Sequence, residues 1–200
     1  MSARETILSR IAGAGRPPAP RASYGPPALA DPAASFRAKA RASHAEVHEI
    51  GGAAEVPEAA LAILSGAGAA LRLHLPGNSP LRALPWHRAP ELVLDDAPPG
   101  GEDAALSAAD YAIAETGTLA FLSGAARPSS WHFLPGRELV LLSRGAILAN
   151  LEELFARLGG TMPATLNLVT GPSRTADIEQ TMERGAHGPR ALHILIASAV

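Results

Sequence analysis

The chain has 200 residues, 47% of them hydrophobic but only 4% aromatic, with a formal net charge of -2 at pH 7 and no cysteine. That length sets one domain as the default and predicts a core of Leu, Ile, Val and Ala rather than rings. Zero Cys excludes disulfides, a thiol nucleophile, a Cys-ligated iron–sulfur cluster and a Cys-rich zinc site, and the balanced, scattered charge offers no patch for nucleic acid or an anionic membrane.

Lys39 is the single lysine among 17 Lys and Arg residues. A Walker A loop, which needs Gly-Lys-Ser/Thr, is therefore absent, and Schiff-base chemistry would fall to a residue in a polar segment. No apolar run approaches the ~18 residues of a membrane span, and no basic stretch leading into an apolar one opens the chain. The expectation is a cytoplasmic protein.

In chain order, residues 2–12 read as a short helix with Ile7, Leu8 and Ile11 on one side. Residues 13–32, rich in Pro and Gly, read as an arm, so the expected division is 1–32 for helix and arm and 33–200 for an α/β domain. Residues 35–50, "SFRAKARASHAEVHEI", hold helix formers and a thin apolar stripe of Phe36, Ala40 and Val47. Residues 57–64 predict a second helix with Pro57 near its first turn. Residues 70–76 and 91–96 alternate as strands, and 98–103 form a loop. Residues 110–122 predict two short strands around Glu115–Thr118, residues 127–136 a loop, and 138–143 an apolar strand. A helix is expected over 147–158 with Asn150 as its cap. A strand over 165–170, a helix over 174–184 and a strand over 191–197 complete the pattern. Strands that are apolar throughout and alternate with helices predict an α/β sheet covered on both faces.

Two turns carry candidate chemistry. In "TGPSRTADIE", residues 170–179, an apolar run stops at Gly171-Pro172, then presents Ser173, Arg174 and Thr175. On a strand-to-helix junction, free N–H groups and the helix dipole favour an anion, Arg174 offers a fork of donors, and the hydroxyls add hydrogen bonds. The same pattern also reads as plain helix capping by Ser173, and Asp177 and Glu179 already satisfy the dipole. In "AETGTLAF", Glu115 could act as base or nucleophile, with Thr116 and Thr118 binding a substrate oxygen, and Gly117 making the turn. His187, in "GAHGP", is a candidate ligand or proton carrier. His44 and His48 stand four apart, a metal-suited spacing on a helix, but the helix face reads as solvated and no metal site is expected. Trp131-His132-Phe133 reads as a loop anchor, with an aromatic lid over a pocket as the alternative.

The stretches "ADYAIAETGTLAFLS" and "TGPSRTADIE…GAHGPRALHILI" together resemble the LUD-domain family. The pattern stands here as Ala109 to Thr118, Arg127, Leu134-Pro135, Gly171 to Glu179 and Gly185 to Pro189, within residues 107–197. The resemblance implies a three-layer α/β fold similar to the ribose-5-phosphate isomerase and CoA-transferase group. It also implies a part in bacterial oxidation of L-lactate to pyruvate, as a non-cluster component beside iron–sulfur partner proteins; this chain's own cofactor, if any, is unknown. The related folds bind phosphorylated or CoA-type ligands at strand ends. That places an expected small-anion pocket between Glu115, Thr116, Gly117 and Thr118 on one wall and Gly171, Ser173, Arg174 and Thr175 on the other, with His187 nearby. A stand-alone enzyme or binding protein for a phosphorylated, CoA-type or carboxylate metabolite is the alternative, and a homo-oligomer is compatible with either.

Overall fold

The computed structural model describes residues 2–13, 25, 28–124, 127–160, 162–176, 182–184 and 188–199. In chain order these form α1 (Ala3–Gly13), α2 (Pro32–Ala42), β1 (Glu46–Gly52), α3 (Val56–Gly66), β2 (Arg72–His74), β3 (Val93–Asp95), β4 (Ala104–Ala108), β5 (Tyr111–Ile113) and β6 (Thr118–Leu122). They continue with β7 (Arg137–Ser143), β8 (Ile147–Leu148), α4 (Leu151–Leu158), β9 (Leu166–Val169), β10 (Arg174–Ala176), β11 (Met182–Arg184) and β12 (Ala191–Ala199).

The centre is a six-stranded sheet of order β1-β12-β7-β4-β2-β3, every pair in it parallel. Side chains alternate across a strand, and β7 and β12 use both sides. Leu139, Leu141, Leu195 and Ala197 join Val56, Ala60 and Leu64 of α3 on one face. Val140, Leu142, Leu192, Ile194 and Ile196 join Phe36 and Ala40 of α2, and Leu119 and Phe121 of β6, on the other. Each such fully buried Leu or Ile contributes about 1.5–3 kcal/mol, which is why these two strands read as unbroken apolar runs.

The second face is covered by α2 together with a small mixed sheet of order β8-β5-β6-β9. The outer side of that sheet packs Ile113, Ala120 and Leu148 on Leu154 of α4. The α/β architecture with both sheet faces covered is thus as the alternation predicts. Asn150 also caps α4 as expected, its Oδ1 accepting from the Glu153 N–H at 3.0 Å.

Three expected helices are corrected. The helix expected over 35–50 ends at Ala42, because His44 adopts φ 67, among the described residues the one positive φ outside glycine. The chain then turns into β1, where the apolar and polar positions of 46–52 suit a strand paired with β12. The helix expected from 147 begins at Leu151, since Ile147 and Leu148 pair with Ala112 and Ile113. The helix expected over 174–184 is replaced in its described parts by antiparallel β10 and β11, with Arg174 opposite Arg184. Its start is tied in extended form by the Ser173 N–H donating to Pro189 O at 2.8 Å. Strand β4, "AALSA", has Leu106 as its one bulky side chain and no apolar alternation to announce it.

Candidate functional site

The two glycine turns are built by close approach to α2 and its C-terminus. Gly117 has φ 72 and Gly171 has φ 71, the left-handed region that costs a side chain energy. A Cβ on Gly117 would lie 2.5 Å from the Ala40 backbone nitrogen, and one on Gly171 would lie 2.1 Å from Ser43 O. Both positions therefore require glycine twice over, for torsion and for space.

Docking on the same helix brings the turns together. The hydroxyls of Thr116 and Thr118 lie 2.7 Å apart, as do those of Thr118 and Thr170, forming a three-member chain. They do not enclose one pocket. Glu115, Thr116, Thr118 and Thr170 line a cavity of about 400 Å³ with Glu152 and Leu168. Thr170, Gly171, Ser173 and Arg174 line another of about 530 Å³ with His44 and His132. The two cavities share Leu168 and Thr170, while Gly117 is spent on the contact with α2. No helix begins at Ser173, so the helix-dipole argument for an anion there falls, and Arg174, with the hydroxyl groups, is what remains of it. The side chain of Thr175, and His187 altogether, lie outside the described residues.

His132, read from sequence as part of a loop anchor, is the group the larger cavity adds. It ends the 3₁₀ turn Ser129–His132, packs its ring 3.9 Å from that of Phe121, and is only 4% exposed. Its Nδ1 lies 2.7 Å from Glu138 Oε1, which also accepts from the Ser107 hydroxyl at 2.7 Å. Glu138 is fully buried, and its Oε2 has no hydrogen-bond partner. A buried carboxylate that holds one imidazole nitrogen fixes the ring and its tautomer and leaves Nε2 as the nitrogen for a ligand or proton. A Glu opening the apolar run "ELVLL" was the available signal, because a buried carboxylate needs donors.

Other residues of the motif have structural duties. Asp110 forms an ion pair with Arg127, and its Oδ2 accepts from the Leu122 N–H at 2.8 Å. That pair ties the start of β5 to the segment before the 3₁₀ turn.

A second polar group lies on the α3 face. Glu46 and His48 project from β1 beside His193 of β12, the register setting Glu46 opposite His193. His48 Nε2 is 3.4 Å from His193 Nδ1, and Glu46 Oε2 is 3.5 Å from that same nitrogen. Arg137 NH1 reaches His193 Nε2 at 2.5 Å. Burial pushes the His193 imidazole down to about 4, against the pull of Glu46 and with help from Arg137 and His48. His44 does not share this group; it sits in the turn after α2, so His44 and His48 do not lie on one helix face.

This is an α/β domain with a ligand-sized cavity at its glycine turns, and the comparisons fall on the same segment. Residues 101–197 match the LUD domain family. The chain is 32% identical over 101 residues to lactate utilization protein C of Halalkalibacterium halodurans, covering 47% of this chain and 44% of that protein. It is 36% identical over 95 residues to the uncharacterized protein YkgG of Escherichia coli, covering 44% and 41%. Each match spans under half of the relative's length. The crystal structure of a DUF162 family protein from Deinococcus radiodurans shares the fold, with a TM-score of 0.61 and 23% identity, covering 86% of this chain and all of that one.

Proposed function

We propose that this chain is a non-cluster component of a bacterial L-lactate utilisation system, working with iron–sulfur partner proteins and seating a small carboxylate or phosphate-type anion in the 530 Å³ cavity. The observation that carries the anion is the Arg174 guanidinium and the Ser173 hydroxyl lining one cavity with an imidazole held by buried Glu138. A guanidinium fork binds a planar carboxylate in two places, and a fixed imidazole nitrogen adds a third contact at an α-oxygen. The lactate context rests on the likeness to lactate utilization protein C. The partner reading rests on composition, since a chain without Cys cannot ligate a cluster through thiolates.

The test is a thermal-shift titration of the chain and its Arg174→Ala variant with L-lactate, pyruvate, inorganic phosphate and CoA esters. A ligand at a hundred times its dissociation constant adds about 2.7 kcal/mol, and each kcal/mol moves the midpoint by roughly 2–4 °C at this size. A shift in the parent that Arg174→Ala loses supports the cavity; silence across the panel removes the anion from the reading. Reduction of a dye by L-lactate with the isolated chain alone would overturn the accessory role.

A second reading, a stand-alone enzyme or binding protein for a phosphorylated, CoA-type or carboxylate metabolite, is favoured by Glu115 standing beside the threonine hydroxyls in the 400 Å³ cavity. It requires turnover that Glu115→Gln abolishes.

A further inference from the structure

The group on the α3 face converges on one nitrogen, His193 Nδ1, at distances longer than a strong hydrogen bond. A nitrogen donor meets an oxygen acceptor most often at about 2.9–3.0 Å, and a charged nitrogen–carboxylate pair closes to about 2.7–2.9 Å. His48 Nε2 and Glu46 Oε2 stand off His193 Nδ1 at 3.4 and 3.5 Å. Those separations match the edge of a tetrahedron around an ion bound at about 2.0–2.1 Å, which is about 3.3–3.4 Å. One ligand atom from each of the three residues lies within 4.8 Å of the others.

The supports are rigid. Glu46 and His48 are two apart on β1 and so face the same side, and His193 lies opposite Glu46 in register on neighbouring β12. His48 and His193 stack with ring centroids 5.6 Å apart. Across from them α3 and its cap present Ala59, Ala62, Gly66 and Ala67 beside the larger Ile63, and leave a cavity of about 660 Å³ beside the three ligand residues. Three protein ligands and open space for a fourth is the arrangement of an accessible metal site rather than a closed structural one.

We propose that Glu46 Oε2, His48 Nε2 and His193 Nδ1 bind a late first-row divalent cation of the zinc type, with the fourth position open to the α3 cavity. Two imidazoles and one carboxylate select Zn²⁺ or Co²⁺ over Mg²⁺ and Ca²⁺, which demand oxygen ligands. Arg137 is the competitor. A guanidinium only donates, so its contact with His193 Nε2 places the ring proton on Nδ1, the nitrogen the ion needs. Binding replaces that proton with the ion, puts the ring proton on Nε2, and drives Arg137 away. Affinity therefore rises when residue 137 can accept a hydrogen bond instead of donating one. This site is independent of the anion cavity, although Glu46 also borders a small space lined by Ser173 and Arg174.

The experiment is calorimetry of the full chain, first stripped with chelator, against Zn²⁺ and against Co²⁺, the latter also followed by its visible absorption, with Mg²⁺ as comparison. One equivalent of Zn²⁺ and of Co²⁺ is expected, with a tetrahedral cobalt spectrum and no Mg²⁺ binding. His48→Ala and Glu46→Gln alter a half-buried and an exposed side chain and keep the fold, which their unfolding midpoints verify. His48→Ala is expected to weaken Zn²⁺ by about 100-fold or more and Glu46→Gln by at least about tenfold, since losing even a group behind a ligand costs 10–100-fold. Arg137→Gln is expected to tighten binding by roughly tenfold. No stoichiometric Zn²⁺ in either the parent or Arg137→Gln, or full affinity retained in both His48→Ala and Glu46→Gln, overturns the site. Unchanged affinity in Arg137→Gln overturns the competition.

Discussion

The two faces of the parallel sheet are covered by different means. On one, α2 and the small sheet lock together by backbone contact, Gly117 against Ala40 and Gly171 against Ser43. On the other, α3 packs its own stripe of Val56, Ala60 and Leu64 and leaves a groove toward the start of β1 and β12. The first is a jigsaw that tolerates no added atom; the second has room. The motif turns belong to the tight face and the His48–His193 pair to the roomy one, so a position's tolerance to substitution should depend on its face more than on its residue type.

Phe36→Ala gives the largest expected effect on the tight face. Phe36 is fully buried between α2 and the strands, and its truncation should cost about 4 kcal/mol in urea unfolding. A loss under about 1 kcal/mol would show that this face repacks freely. Gly171→Ala comes next, at about 3 kcal/mol, because the added carbon meets both an unfavourable φ and the Ser43 carbonyl. Glu138→Leu should cost about 2 kcal/mol by leaving His132 Nδ1 and the Ser107 hydroxyl without their acceptor. Glu138→Gln, which keeps an acceptor oxygen, should recover most of that loss; if the two variants are equal, the hydrogen bonds are not what Glu138 contributes.

Gly66→Ala sharpens the contrast from the other side. Nothing lies within 4 Å of the added carbon at the end of α3, so the change should stabilise by about 0.5–1 kcal/mol. A clear destabilisation there would break the distinction between the faces. The smallest effect concerns acid. The Ala97 N–H and then Arg72 hold the Asp95 carboxyl below its ordinary 3.8. Its folded pKa is the lower one, so its contribution is complete above about pH 4 and fades as pH falls through the folded value. Asp95→Asn should narrow the gap between urea midpoints measured at pH 7 and pH 3, and an unchanged gap would remove this residue from the acid response.

Much of the fold was legible where the signal was local. α3 follows from Pro57 and an apolar stripe, β7 and β12 from unbroken apolar runs, and the start of α4 from Asn150. The failures came where a contact from elsewhere in the chain overruled the local preference. Residues 44–50 hold Ala, Glu and His, which suit a helix alone, yet pairing with β12 outweighs that preference. Residues 174–176 follow the tie of Ser173 to Pro189 rather than their own propensity. Of the candidate site, the nearness of the two turns was legible, but their division into two cavities was not. His132 and Glu138 were missed because a carboxylate at the head of an apolar strand announces the need for a partner without naming it.

By itself the sequence determined that thiol chemistry is absent, where turns fall, and which strands are buried on both sides. Those properties reside in composition, in turn-forming residues and in the period of consecutive side chains. Tertiary structure alone decided that Thr118 would meet Thr170, that Glu138 would hold His132, and that His48 would stand beside His193. The last pair is 145 residues apart along the chain. Such meetings depend on strand order and register, which are fixed by the packing of the whole core and by no one stretch of it.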